Sequence, residues 1–137
     1  MSVLQAALSL GMAIMAGSPQ AGECEANFRS EGSFFSGRRY TTSQTFPAPA
    51  EAVYRRAYAA MVQEGWAIRS SDREMMVISA TTEVSFGSGK TAPLNIIVEP
   101  TGDGSRVSMT FSISGGLSAS DPRGNMCSLM AKFTPAG

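Results

Sequence analysis

The fold of this chain is decided by residues 45–82, TFPAPAEAVYRRAYAAMVQEGWAIRSSDREMMVISATT. This stretch predicts one amphipathic helix followed by two short strands. Pro49 lies at the helix entry, where the backbone N–H that proline lacks would have no intrahelical partner. Glu51 places a carboxylate near the positive end of the helix dipole. Gly65 is predicted to end the helix, because glycine adopts the left-handed conformation without steric cost. Between these signals, apolar residues recur at helical spacing and form one stripe: Val53, Ala57, Ala60 and Met61.

Strands are predicted on both sides of the helix. These segments are rich in β-branched and aromatic residues or alternate apolar and polar side chains, as strands with one buried face do. They comprise residues 38–46, 66–70, 75–84, 94–99 and 107–113. A short C-terminal helix is expected from the helical spacing of Met126, Leu129, Met130 and Phe133. The prediction is a single α+β domain over residues 38–137, with an antiparallel sheet of about five strands packed on one main helix, in the order β-α-β-β-β-β-α.

The N-terminal part is predicted to be a leader and a linker. Residues 1–22 carry no charged side chain and include an apolar run at 3–16, which is shorter than the about 20 residues of a membrane span. Small residues follow the run, as in a secretory signal peptide. No Lys or Arg precedes it, so an apolar helix packed on the domain is the alternative. Residues 23–37 show no clear period and are predicted to be a linker. A leader implies a periplasmic or otherwise exported protein, and association with the outer membrane is compatible with it.

The chain contains two cysteines, Cys24 and Cys127. In an exported protein an even pair suggests one disulfide, which would tie the N-terminal segment to the C-terminal one. Free thiols are an alternative. A lipid-bearing Cys24 is a further alternative, although Glu23 stands where a lipoprotein signal has a small residue.

The composition argues against catalysis, metal binding and nucleic-acid binding. The chain has no histidine, the usual general base near neutral pH, and its Asp, Glu and Cys residues are not clustered as metal ligands are. Eleven basic residues balance eleven acidic ones, which gives no basic surface for nucleic acid. No polybasic run is present to attract anionic lipid. We therefore expect no enzymatic activity, no cofactor, no metal ion and no nucleic-acid partner, and membrane contact only through an uncleaved leader.

Residues 87–91, GSGKT, look like part of a phosphate-binding loop. That loop requires a glycine before four further residues and Gly-Lys, but Val84 occupies the position of the first glycine. A predicted strand follows instead of a helix, whose N-terminus would hold the phosphate. The segment is therefore predicted to be a hairpin loop.

The pattern F-x-A-P-A-E-A-V-Y, then G-W-x-I, then D-R-E-x-x-V-I-S-A resembles the small helix-grip domains of bacterial envelope proteins. The C subunit of the outer-membrane β-barrel assembly machinery, a lipoprotein, carries such domains. The resemblance covers residues 38–134 and implies a helix-grip-like fold, in which a sheet curves around one helix. It also implies a binding or scaffolding role, and it transfers no catalytic residue.

Two functions are compatible with these features. The first is a non-catalytic exported domain for binding or assembly in the bacterial cell envelope, with an envelope protein as partner. Its interface would use Tyr54, Arg55 and Tyr58, because aromatic and arginine side chains are typical interface anchors. The alternative is a protein that binds a small, lipid-like apolar ligand in a pocket between helix and sheet. Methionines would form an adaptable lining there: Met75, Met76, Met109, Met126 and Met130.

Overall fold

The computed structural model of the protein describes residues 22–83 and 90–135. The predicted signal peptide, apart from Gly22, lies outside the described residues, and so does most of the GSGKT segment. The elements are α1 (Glu23–Asn27), β1 (Arg29–Ser33), β2 (Gly37–Phe46), α2 (Ala50–Gln63), β3 (Ala67–Asp72), β4 (Val77–Glu83), β5 (Thr91–Pro100), β6 (Ser105–Ile113) and α3 (Pro122–Ala131).

One six-stranded sheet in the order β1-β2-β6-β5-β4-β3 organises the domain. Every neighbouring pair is antiparallel. Side chains from α2, α3 and alternate positions of the strands form one buried core. From β2 onward the element order is the predicted β-α-β-β-β-β-α, so the α+β architecture with an antiparallel sheet is confirmed.

The helix α2 packs its predicted stripe on the sheet. Val53, Ala57, Ala60 and Met61 are all at most 1% exposed. The two alanines leave little side chain between the helix backbone and the strands. The helix therefore lies close to the sheet. Full burial of a side chain the size of Val or Met stabilises the folded state by about 1.5–3 kcal/mol.

The end of α2 is a Schellman motif centred on Gly65. This glycine has φ of 88° and donates its N–H to the carbonyl of Val62 at 3.1 Å. Trp66 then donates to the carbonyl of Met61 at 3.0 Å. The two bonds satisfy carbonyls that the helix leaves without partners, and they turn the chain directly into β3.

The strands β5 and β6 bury the faces that their alternation predicts. In β5, Leu94, Ile96 and Val98 are buried while the residues between them are exposed. In β6, the buried positions are Ser105, Val107, Met109, Phe111 and Ile113. Period-two burial of this kind is the property of a sheet with one covered face.

The segment predicted to be a linker is folded, and this prediction was wrong. Residues 23–37 contain α1 and the sixth strand β1, which pairs with β2 from Arg29 opposite Thr41 to Ser33 opposite Gly37. All five residues of β1 are exposed, so no apolar alternation marks it in the sequence. Its backbone forms a strand because the edge of β2 offers unpaired donors and acceptors.

The helix α1 covers the remainder of that edge. Asn27 Nδ2 donates to the carbonyl of Ser43 at 3.0 Å, and a carboxylate oxygen of Glu23 accepts from the backbone N–H of Thr45. Both contacts lie beyond the Arg29–Thr41 pair, at which the pairing of β1 with β2 begins. Side chains of α1 thus form hydrogen bonds with backbone groups of β2 that would otherwise be free to pair with a further strand.

The turn between β3 and β4 has the predicted length of four residues but lies two residues later in the chain, at 73–76. Asp72 Oδ1 accepts from the N–H groups of Glu74 and Met75, each at 3.0 Å, as expected for an Asp that stabilises a turn. Met75 is exposed and Met76 has a positive φ of 58°, so the strand begins at Val77 instead of at residue 75. The Ile78 and Ala80 side of the strand faces the core.

Replacing Gly65 by alanine should lower the free energy of unfolding by about 1–2 kcal/mol, because an L-residue is strained in the left-handed conformation. Urea denaturation of the variant and the wild type measures the difference. Gly102→Ala is the matched control, since Gly102 has no positive φ and an added Cβ would meet open space. Equal stabilities for the two variants would contradict the proposed role of Gly65.

Candidate functional site

A cavity of about 380 Å³ lies between α3 and one end of the sheet. The starts of β3 and β5 and the ends of β4 and β6 meet at this end, as the strand register requires. The lining comes from the end of α2, from four strands or their flanks, and from α3 with the loop before it. The lining residues are Glu64, Trp66, Thr82, Glu83, Leu94, Phe111, Ala119, Ser120, Pro122, Asn125, Met126, Ser128, Leu129 and Lys132.

The floor of the cavity is apolar and partly aromatic. Leu94 and Phe111 are cross-strand partners on the buried face of β5 and β6. The Trp66 ring meets Phe111 edge to face, with centroids 6.1 Å apart, which is a favourable arrangement of aromatic quadrupoles. Trp66 is held there by the Schellman motif, since it follows Gly65 directly.

The helix α3 forms the opposite wall. Asp121 is its N-cap and accepts from the N–H of Gly124 at 3.1 Å, and Pro122 follows at the first helical position, as the preferences of these residues favour. Gly124 leaves room for the cap, because a Cβ would lie 2.2 Å from Asp121 Oδ2 and the carboxylate would have to move. The cavity side of the helix carries the buried Met126 and Leu129 and the exposed Asn125 and Ser128.

Charged groups stand at the mouth of the cavity. Lys132 Nζ and Glu64 Oε2 form an ion pair at 2.6 Å, and Arg56 Nε donates to the carbonyl of Lys132 at 3.0 Å. These contacts join the ends of α2 and α3. Exposed ion pairs contribute little to stability, so these contacts place charge at the cavity mouth, where Glu83 also lies, without holding the helices strongly.

A disulfide between Cys24 and Cys127 attaches α3 to α1. The predicted pairing is therefore present in the structure, and both cysteines are buried. Arg123 Nη2 adds a hydrogen bond to the carbonyl of Glu25 at 3.0 Å. Because Cys127 lies between Met126 and Ser128, the covalent link is made at the wall of the cavity.

The methionines predicted to line a pocket are mostly elsewhere. Met126 alone among them lines the cavity. Met109 and Met130 are buried in the core, and Met75 and Met76 belong to the β3–β4 turn at the other end of the sheet. The sequence pattern did not indicate Trp66, Leu94 and Phe111 as a floor, since each belongs to a different strand segment.

The predicted interface residues do not form one exposed patch. Tyr54 is buried in the core with 6% of its surface exposed, so its use as a surface anchor was wrong. Tyr54 lies four residues after Ala50 and three before Ala57, which places it on the buried face of α2. Tyr58 is 38% exposed, and Arg55 is exposed and pairs with Glu51 at 3.0 Å.

Glu51 has a perturbed carboxyl group, but it lies far from the cavity mouth, at the N-terminal end of α2. A hydrogen bond from Arg73, and then one from Arg55, lower the pKa of Glu51 below its usual value. Over residues 22–83 and 90–135, no three His, Cys, Asp or Glu side chains are grouped as a metal site would need. In the same part of the chain, no helix is long and apolar enough to cross a membrane.

Comparison with solved structures places the fold beside CalU16 from Micromonospora echinospora, with a TM-score of 0.56 and 8% sequence identity over 77% of this chain and 80% of that one. TTHA0849 from Thermus thermophilus aligns with a TM-score of 0.44 and 17% identity over 69% of this chain and 85% of that one. The first similarity shows a shared fold and nothing about function. No protein-family model matches the chain, and no curated protein does.

Removing the disulfide by the double substitution Cys24→Ala and Cys127→Ala should lower the free energy of unfolding by about 2–4 kcal/mol. The reason is that the bond closes a loop spanning 103 positions and so restricts the unfolded chain. Urea denaturation measures the loss. The wild type under reducing conditions should approach the stability of the variant, and an unchanged midpoint in both experiments would contradict the prediction.

Proposed function

We propose that the domain is a non-catalytic binding protein that holds a small apolar molecule in the cavity between α3 and the sheet. The observation that carries this proposal is the cavity itself, with a volume of about 380 Å³. Sites for small molecules usually have about 300–1,000 Å³ and are mostly apolar with a few polar groups. The cavity has this size, and its lining is divided about evenly between apolar and polar side chains.

The chemistry of the walls favours an apolar ligand. Trp66, Leu94 and Phe111 on the floor and Met126 and Leu129 on the helix offer apolar contacts, and burying apolar surface contributes about 25 cal/mol per Å². The same lining also holds polar and charged side chains, among them Thr82, Glu83 and Lys132. A ligand with one polar end would satisfy such groups, whose desolvation would otherwise oppose binding.

Polar groups on α3 can orient one end of the ligand. Asn125 Nδ2 donates to the carbonyl of Ser120 at 2.7 Å, which fixes the amide. Asn125 Oδ1 has no protein donor within the described residues, and the hydroxyl of Ser128 lies one helical turn further on. A hydroxyl or amide at the end of an otherwise apolar ligand would match these two groups.

The absence of catalysis is part of the proposal. The chain has no histidine, and within the described ranges the cavity carboxylates Glu64 and Glu83 belong to no cluster with Asp or Cys. A nucleophile with an adjacent base is the arrangement that covalent catalysis needs. Within the described residues, no hydrogen bond joins the hydroxyl of Ser120 or Ser128 to a side chain that could act as a base.

An exported assembly domain of the bacterial envelope is the second candidate. The disulfide supports it, because disulfides persist in oxidising compartments. The strand β3 also supports it, since this edge strand is almost wholly exposed and could accept a strand from a partner. The resemblance to envelope helix-grip domains points the same way. The two candidates are compatible, because the cavity and the β3 edge are different surfaces.

The exported location predicts that the mature protein is found in the periplasmic or envelope fraction of the cell, with an oxidised Cys24–Cys127 pair. Fractionation followed by mass spectrometry of the intact protein measures the location, leader cleavage and the disulfide together. A full-length, reduced protein in the cytosol would rule out the envelope role and leave ligand binding in the cavity open.

The ligand proposal predicts saturable binding of apolar probes. Nile red and medium-chain alcohols should bind the purified protein, and the alcohols should displace the dye. They should also shift the emission of Trp66, the single tryptophan of the chain, because this residue lines the cavity. Ser128→Phe should weaken binding at least tenfold by filling the space beside α3.

Ala131→Phe is the matched control for this experiment. Ala131 lies on the same helix and is exposed, but it does not line the cavity, so the substitution should leave binding unchanged. Circular dichroism establishes that both variants are folded. Equal loss in both variants, or binding that does not saturate, would overturn the proposal.

A further inference from the structure

The turn between β1 and β2 presents two phenylalanines to solvent. Phe35 is 88% exposed and Phe34 is 41% exposed, and their rings contact each other edge to face with centroids 5.5 Å apart. No other large apolar residue of the described chain is exposed as fully as Phe35. Covering such a pair of solvent-exposed aromatic rings with an apolar surface lowers the free energy of the system.

The turn is held in place by the backbone around it. The N–H of Gly116 donates to the carbonyl of Phe34 at 2.8 Å, and the hydroxyl of Ser33 accepts from the N–H of Ser36 at 3.2 Å. A Cβ on Gly115 would lie 2.1 Å from the carbonyl oxygen of Phe35. The loop after β6 thus packs directly against the turn, and the rings are displayed on a supported structure.

Two arginines, Arg38 and Arg39, follow this turn on β2 and point to opposite faces of the sheet. Arg29 lies at the other end of β1, opposite Thr41. Glu31 is the one carboxylate of the hairpin and pairs with Arg39 at 3.0 Å, so the hairpin carries an excess of positive charge. Arg38, Arg39 and Ser36 also border a shallow open depression beside the turn.

The aromatic turn and the ligand cavity lie at the same end of the sheet. Arg38 is opposite Ile113 at the end of β6, and Phe111, two residues earlier, is in the cavity floor. The loop from Gly115 to Ser120 connects the two places, because Gly115 and Gly116 support the turn while Ala119 and Ser120 line the cavity.

We propose that the β1–β2 turn docks the protein on an anionic lipid surface, with Phe34 and Phe35 in the interfacial region and the arginines against lipid phosphates. Two rings on a convex turn can insert into a fluid lipid interface that has no preformed pocket. A protein partner would need a pocket shaped to receive them. Basic residues near an anionic leaflet add attraction, and such binding strengthens with the apolar area buried. This inference does not depend on the proposed ligand, and it departs from the expectation from the sequence that membrane contact comes only through a leader.

Co-flotation of the full chain with lipid vesicles tests the proposal. The protein should bind vesicles of phosphatidylcholine and phosphatidylserine more strongly than vesicles of phosphatidylcholine alone. The double substitution Phe34→Ser and Phe35→Ser should reduce the partition coefficient at least tenfold on the anionic vesicles. Arg38→Ser should weaken binding to the anionic vesicles only, because its contribution is electrostatic.

Matched controls come from the opposite end of the sheet. Met75→Ser removes an apolar side chain that is 69% exposed in the β3–β4 turn, and Arg106→Ser removes an exposed arginine of β6. Neither should change vesicle binding. A tryptophan placed by Phe35→Trp should be quenched by brominated lipids beyond the background that Trp66 of the wild type gives.

Several results would overturn the proposal. Unchanged vesicle binding of the double phenylalanine variant would assign any membrane affinity to another part of the chain. Full displacement of the protein from the vesicles by soluble glycerophosphoserine would show that the protein binds the phosphate without insertion of the rings. Loss of a defined protein partner in the double variant, with vesicle binding retained, would make the turn a protein-binding surface.

Discussion

The close packing of α2 on the sheet is the constraint on which the rest of the structure depends. Ala57 and Ala60 bring the helix backbone near the strands, and Val53 and Met61 fill the remaining space. The helix ends abruptly at Gly65, where the Schellman hydrogen bonds direct Trp66 into the sheet. The helix therefore covers only part of the sheet, and α3 approaches beside its end. The cavity is the space that these two helices and the strand ends enclose.

The N-terminal segment completes the sheet and connects the ends of the fold. The strand β1 and the helix α1 together cover the outer edge of β2, which would otherwise expose backbone donors and acceptors. The disulfide then joins α1 to α3. One covalent bond thus links the cover of the sheet edge to the wall of the cavity, so that neither is held by weak surface contacts alone.

The two ends of the sheet have different chemical characters. One end holds the aromatic turn, the excess arginines of the β1–β2 hairpin and the cavity. The other end holds the β3–β4 turn, where Arg73 and Arg55 pair with Glu51 and lower its pKa. An apolar ligand and a lipid surface would both meet the protein at the first end. If both proposals hold, docking would bring the cavity close to the membrane from which an apolar ligand could come.

The sequence by itself determined the features that depend on local periodicity and capping. The stripe and stop of α2, the alternation of β5 and β6 and the N-cap of α3 each follow from residues close together in the chain. Only the tertiary structure decided that residues 23–37 fold, because the exposed β1 has no apolar period and pairs through its backbone. It also decided that Tyr54 is buried and that Trp66, Leu94 and Phe111 form one floor. Those outcomes depend on contacts between segments that are distant in the sequence. Strand register and helix placement set the positions of these contacts, and a local sequence pattern predicts neither.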